Sequence, residues 1–264
     1  MGQRMSRRFL GVSALIFTAS VVITVYWCAS MSAMGEMPMP GGWSMSMMWM
    51  RMPGQSWPGA ATSFLGMWVV MMMAMMLPSL TPMLSRFREA VAATAGTRPV
   101  QLTILVAVGY SFVWAVLGLM IFIVGASFSV LEMQFTALAR TAPILAGLVV
   151  LAAGALQLTR WKARRLACCR STPQGSCRFP ANPTSAWRYG LRIGIQCSYC
   201  CAGFTAILLV IGVMDLRAMA VVTAAISLER LLPGGERVAR ATGVVVFAAG
   251  FILLLRPLVT VPSL

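Results

Sequence analysis

Histidine is missing from this 264-residue chain, and charged side chains of both signs make up only 10% of it. A soluble globular domain carries about 25% charged residues. A particle of this size with so few charges lacks the polar surface to face water all round, so lipid must cover much of it. Acids are scarcest: Glu36, Glu89, Glu132, Asp215, Glu229 and Glu236 complete the set. Without imidazole, and with few carboxylates, the chain is poorly equipped for Mg, Ca or Mn and for most Zn and Fe sites. The sequence shows no ATP-binding loop, phosphorylatable aspartate motif or hydrolase signature, so transport would be passive or gradient-driven. The net charge of +15 does not read as nucleic-acid binding, because Lys and Arg fall between apolar runs rather than along one face.

Sulfur is what the chain has in excess. It holds 22 Met, 16 of them between Met31 and Met83, and seven Cys. Thiolate and thioether are soft ligands that select Cu(I). If the chain holds a metal, Cu(I) is the ion expected.

A helix needs about 20 apolar residues to cross the hydrocarbon core. Candidate spans are 9–28, 61–83, 101–126, 143–158, 193–214, 218–231 and 243–255, the fourth and sixth being short. The expected fold is an all-α polytopic transmembrane bundle of about seven spans, with six as the alternative. Placing the N-terminus in the cytoplasm puts 17 of the 21 Lys and Arg residues on inner segments. Only Arg51, Arg140, Arg217 and Arg256 then fall outside. That bias follows the positive-inside rule and predicts an outer C-terminus. The division is a basic N-terminus at 1–8, a first helix at 9–28, an outer loop at 29–60 and a bundle at 61–258. Within the bundle, 159–192 is a basic, Cys-containing inner loop. Ser6-Arg7-Arg8-Phe9-Leu10 resembles a twin-arginine signal, yet the apolar stretch behind it exceeds the usual signal length. It reads as an uncleaved span.

The outer loop carries Met34, Met37, Met39, Met45, Met47, Met48, Met50 and Met52 among Trp43, Trp49 and Trp57. Its Pro and Gly residues forbid a long regular element. Thioethers stay available as Cu(I) ligands where free thiols would oxidise, so metal capture is one reading; an interfacial belt of Met and Trp is the other. In the second span Met72, Met75 and Met76 share one helix face at i, i+3, i+4. Pro78 and Pro82 are expected to kink that helix. Plain packing by adaptable thioethers is the competing reading.

Cys197, Cys200 and Cys201 stand at the same helical spacing, so three sulfurs are expected on one face, with a Met from the second span completing a soft-metal site. The alternatives are small thiols packed between helices, or a redox pair. Cys169 and Cys177, in the basic inner loop with Cys168, add further thiols whose flanking arginines favour thiolate. Cys28 shows no evident partner. Asp215 and Glu229 read as helix-end groups, with Glu229 pairing Arg230 or Arg192.

Three stretches carry a family likeness. They are Trp68 with Met72-Met73-Ala74-Met75-Met76-Leu77-Pro78-Ser79 and Pro82-Met83; Gly109-Tyr110 with Trp114; and Cys197-x-x-Cys200-Cys201 through Gly212-Val-Met214 to Leu228-Glu229-Arg230 and Pro233-Gly234. Over residues 61–255 the chain resembles a bacterial family of predicted metal-binding integral membrane proteins of unknown function, some labelled copper chaperones. The family's Lys-x-x-Cys-Leu-x-x-Cys-Arg pattern appears with Arg165 at its first Cys, and its Cys-Cys-Trp as Cys200-Cys201-Ala202. The resemblance implies metal binding.

The leading functional expectation is a protein of the bacterial inner membrane that binds Cu(I) for copper transfer, transport or delivery. It would act either as a permease-like conduit or as an insertion partner for a membrane cuproenzyme, with a copper chaperone or that cuproenzyme as partner. The alternatives are a transmembrane thiol redox protein and a non-catalytic assembly subunit. The lipid bilayer is an expected partner; nucleic acid is not.

Overall fold

Long apolar runs with few breakers give long helices, because only a helix pairs all its own backbone groups away from water. The computed structural model describes residues 2–33, 35–39, 43–51, 54–92, 98–170 and 182–259. Helix α1 (Gly2–Ala33) is followed by a small antiparallel hairpin of β1 (Glu36–Met39) and β2 (Trp43–Ser46) and a 3₁₀ turn, Met47–Trp49. Then come α2 (Trp57–Ala92), α3 (Pro99–Gln134), α4 (Thr136–Leu158), α5 (Arg160–Arg170), α6 (Pro183–Ile211), α7 (Leu216–Leu231) and α8 (Gly235–Val259). Helix dominates, as expected; the four-residue strands are as much regular structure as the Pro- and Gly-rich loop allows.

Among the described residues six helices are long and apolar enough to cross a membrane: α1, α2, α3, α4, α6 and α8. Six is the lower of the two expected counts. The candidate at 218–231 lies in α7, whose 16 residues fall short of the roughly 20 a crossing needs. The fourth candidate grows instead, because α4 begins seven residues before Pro143 and reaches 23 residues. Helix α2 likewise runs on through Pro78 and Pro82 to Ala92.

Local chemistry marks the ends. Pro99 and Pro183 open α3 and α6, where a missing N–H costs nothing. Gly212 closes α6 at φ 124°, a conformation glycine tolerates and other residues do not. The Asp215 carboxylate then accepts from the backbone N–H groups of Arg217 (2.8 Å) and Ala218 (3.0 Å), an N-cap matching its expected helix-end role. The chain thus reverses into α7, whose far end returns to the middle of α6.

Close approaches fix helix direction. A Cβ at Gly109 would lie 2.8 Å from the Trp187 carbonyl, and one at Gly194 would lie 2.9 Å from Val113, so α3 and α6 run parallel and nearly touch. Gly147 meets Leu254 and Gly154 meets Phe247, so α4 and α8 are antiparallel. Small residues allow such approach between membrane helices. The main core lies where α2, α3, α6 and α7 meet, around Trp68, Met71, Trp114, Cys197, Phe204 and Ile226. Apolar residues such as Leu15, Val124 and Val245 face outward, more than 60% exposed, as lipid-facing side chains would be.

Candidate metal centre

Four helices bring the site together. Helix α6 supplies Cys197 and Cys201, one helical turn apart; α2 supplies Met76 and Ser79; α3 supplies Tyr110; and α7 supplies Arg230. Cys197, Cys201 and Met76 are each at most 2% exposed. The Cys197 Sγ lies 3.9 Å from Met76 Sδ and 3.0 Å from the Tyr110 hydroxyl. Arg230 Nη2 donates to both thiols, at 3.0 Å to Cys197 and 3.2 Å to Cys201. Its Nη1 donates to Ser79 Oγ at 3.2 Å, and that hydroxyl donates to the Met76 carbonyl at 2.9 Å. A guanidinium held against two sulfurs is a counter-ion for thiolate, and such charge-assisted contacts are roughly twice as strong as neutral ones.

Cys200 makes a second set of contacts. It packs with Leu166 of α5 and Ala239 of α8, and its carbonyl accepts from Lys162 Nζ. The three thiols expected on one face therefore divide: Cys197 and Cys201 turn to α2 and α7, Cys200 to α5 and α8. Among the described residues no group of three or more His, Cys, Asp or Glu side chains is placed to hold a metal ion. Met72 and Met75 are buried in the same core as Cys197; of the three methionines it is Met76 whose sulfur stands beside a site thiol.

Glu229 precedes Arg230 but faces elsewhere. Its carboxylate pairs with Lys162 Nζ at 3.1 Å, both side chains at most 3% exposed. It also accepts from Gln157 Nε2 at 3.0 Å and Thr242 Oγ1 at 3.1 Å. The expected partner, Arg230 or Arg192, is thus replaced by Lys162, because successive residues on a helix point about 100° apart.

The remaining sulfurs are scattered. Cys28, which the sequence left without a partner, has its Sγ 3.7 Å from Met214 Sδ. Met37, Met39 and Met50 pack with Trp43 around Ala139, and Trp43 Nε1 donates to the Ala139 carbonyl at 2.9 Å. Met48 joins the main core. Met34, Met52 and Cys177 lie outside the described residues, as do the side chains of Met45, Met47, Cys168 and Cys169.

Two thiols and a thioether make a soft donor set. The 3.9 Å sulfur–sulfur separation is close to the edge, roughly 4 Å, of a three-coordinate site with metal–sulfur bonds of roughly 2.3 Å. The guanidinium supplies charge opposite to that of thiolates. The residues present therefore fit a soft monovalent ion.

Fold and site together define a class: a helical membrane protein with sulfur gathered in its buried core. The chain belongs to the copper chaperone family PpoB2, whose model matches residues 65–253. That stretch contains Met76, Ser79, Tyr110, Cys197, Cys201 and Arg230, and membership supports a copper-related role. Neither a curated protein nor a solved structure matches the chain. Spacing of sulfurs does not point to Tyr110, Ser79 or Arg230 as neighbours of the site thiols. The available signal was an Arg and a Glu side by side in an apolar helix, since ionisable groups at membrane depth mark functional sites.

Proposed function

We propose that this protein binds Cu(I) within a bacterial inner membrane and hands it on to a copper chaperone or membrane cuproenzyme, as a binding protein rather than an enzyme. Cys197 and Cys201 act as thiolate ligands and Met76 as a neutral thioether. The observation that carries this reading is the meeting of those sulfurs, two from α6 and one from α2, in a buried core with Arg230 against both thiols. Each thiol releases its proton as it binds. Tyr110 steadies the Cys197 sulfur, and Ser79 links Arg230 to the Met76 backbone. Soft ions move between sulfurs by ligand exchange. The methionines of the hairpin, then Met72 and Met75, lie on one side of this route; Cys169 and Cys177 are its proposed continuation on the other.

The test is direct. The protein is purified in detergent with Cu(I), bound metal is measured, and the measurement is repeated on Cys197→Ser and Cys201→Ser. About one copper per chain in the parent, lost in both variants, supports the proposal. No stoichiometric copper, or copper indifferent to both changes, sinks it.

A further inference from the structure

Arg230 is partly buried, and a guanidinium that has given up part of its water favours an opposite charge beside it, because desolvating an ion is costly. The carboxylate nearest in sequence, Glu229, is already taken up by Lys162, Gln157 and Thr242. Lys162 and Glu229 cancel one another. Arg230 donates to Cys197, Cys201 and Ser79, which sets its charge against the two sulfurs.

We propose that Arg230 is the specificity-determining residue of this centre, selecting a monovalent ion over thiophilic divalent ions by charge rather than by ligand softness. The inference rests on the soft-metal reading of Cys197 and Cys201. Its charge balance is simple. Both sulfurs bind as thiolates, any proton still on them passing to the solvent, while Met76 contributes no charge. A monovalent ion with two thiolates carries one net negative charge, which the guanidinium cancels. A divalent ion with the same ligands is neutral and leaves the partly buried guanidinium without an opposite charge beside it. Removing the positive charge should weaken the first complex and favour the second, with the ligands unchanged. Sulfur donors alone would not discriminate in this way, since thiolates take Cd(II) and Zn(II) as well as Cu(I).

Full-length protein in detergent is titrated with Ag(I), an air-stable monovalent probe, in competition with Cd(II), whose thiolate bonds absorb in the ultraviolet. The parent should take Ag(I) and keep it against excess Cd(II). Arg230→Gln should lower the ratio of Ag(I) to Cd(II) affinity by about tenfold or more, the loss of a full charge at contact distance. Arg230→Lys, which keeps the charge though not the fork of donors, should stay within roughly a few fold of the parent ratio, since the ratio is set by charge. A parent that takes Cd(II) at Cys197 and Cys201 as readily as Ag(I) overturns the proposal, and does so even if Arg230→Gln fails to fold. An unchanged ratio in Arg230→Gln, or a ratio in Arg230→Lys that falls as far as in Arg230→Gln, also overturns it. Failure of the parent to bind either ion, or binding indifferent to Cys197→Ser and Cys201→Ser, is a different result: it removes the soft-metal reading beneath.

Discussion

Cys197 and Cys201 differ by about 40° around the axis of α6, whereas Cys200 stands about 100° from Cys201. That difference is large enough to carry Cys200 into another contact, with Leu166 and Ala239. Cys200→Ser is therefore expected to keep stoichiometric copper, while either of the other serine changes loses it; metal analysis of the three purified variants checks this. Met76→Leu preserves volume, so it should fold normally yet weaken Cu(I) binding by about tenfold or more, about 1.4 kcal/mol. Met72→Leu should alter affinity far less, because Met76 is the residue whose sulfur stands beside Cys197. A competitive Cu(I) chelator titration separates the two methionines. The i, i+3, i+4 spacing identified both sulfur-bearing helices correctly. A stripe spanning about 100° can face more than one neighbour in a bundle, which spacing by itself does not resolve.

At the scale of the element, α7 is a wedge between two polar clusters. Glu229 ties it to α4, α5 and α8, and Arg230 ties it to α2 and α6. Breaking a buried ion pair from one side is costly, about 3–5 kcal/mol. Lys162→Met or Glu229→Gln should therefore lower the thermal unfolding midpoint in detergent markedly, with metal affinity falling in parallel as Arg230 loses its seat. Replacing both partners with apolar residues should recover much of that stability, since no lone charge is left behind. The α3–α6 contact depends on bareness rather than charge. A Cβ at Gly190 would overlap the Val106 backbone, so Gly190→Val must push the helices apart and draw Tyr110 from Cys197. Helical circular dichroism should persist while Cu(I) binding drops. Apolar periodicity made the helices legible. The partners of Lys162 and Glu229 were not, because they lie 67 residues apart in the chain and meet only when five helices close round them.

At the scale of the molecule, helix direction bears on topology. Helices α3 and α6 run parallel and α4 and α8 antiparallel, so α7 must carry the chain back between α6 and α8 although it is shorter than a full span. The Lys and Arg distribution then predicts an N-terminus in the cytoplasm and a C-terminus outside. Reporter fusions, active in one compartment only, should report residue 233 inside and the end of α8 outside. Finding both on one side would overturn the reading of α7 as the segment that returns the chain to the inner side.

Composition alone decided the solvent of this protein: with 10% charged residues, lipid has to cover its surface. Composition also decided its donor chemistry, because a chain without histidine can offer a soft ion only sulfur. Which sulfurs meet was decided by tertiary structure. Glycines between α3 and α6, the reversal at Gly212 and the Lys162–Glu229 pair together set the rotation and depth of each helix, and those are relations between segments distant in sequence. The same packing took Arg230 from a topological charge to a position against Cys197 and Cys201, where its partly buried guanidinium donates to both sulfurs.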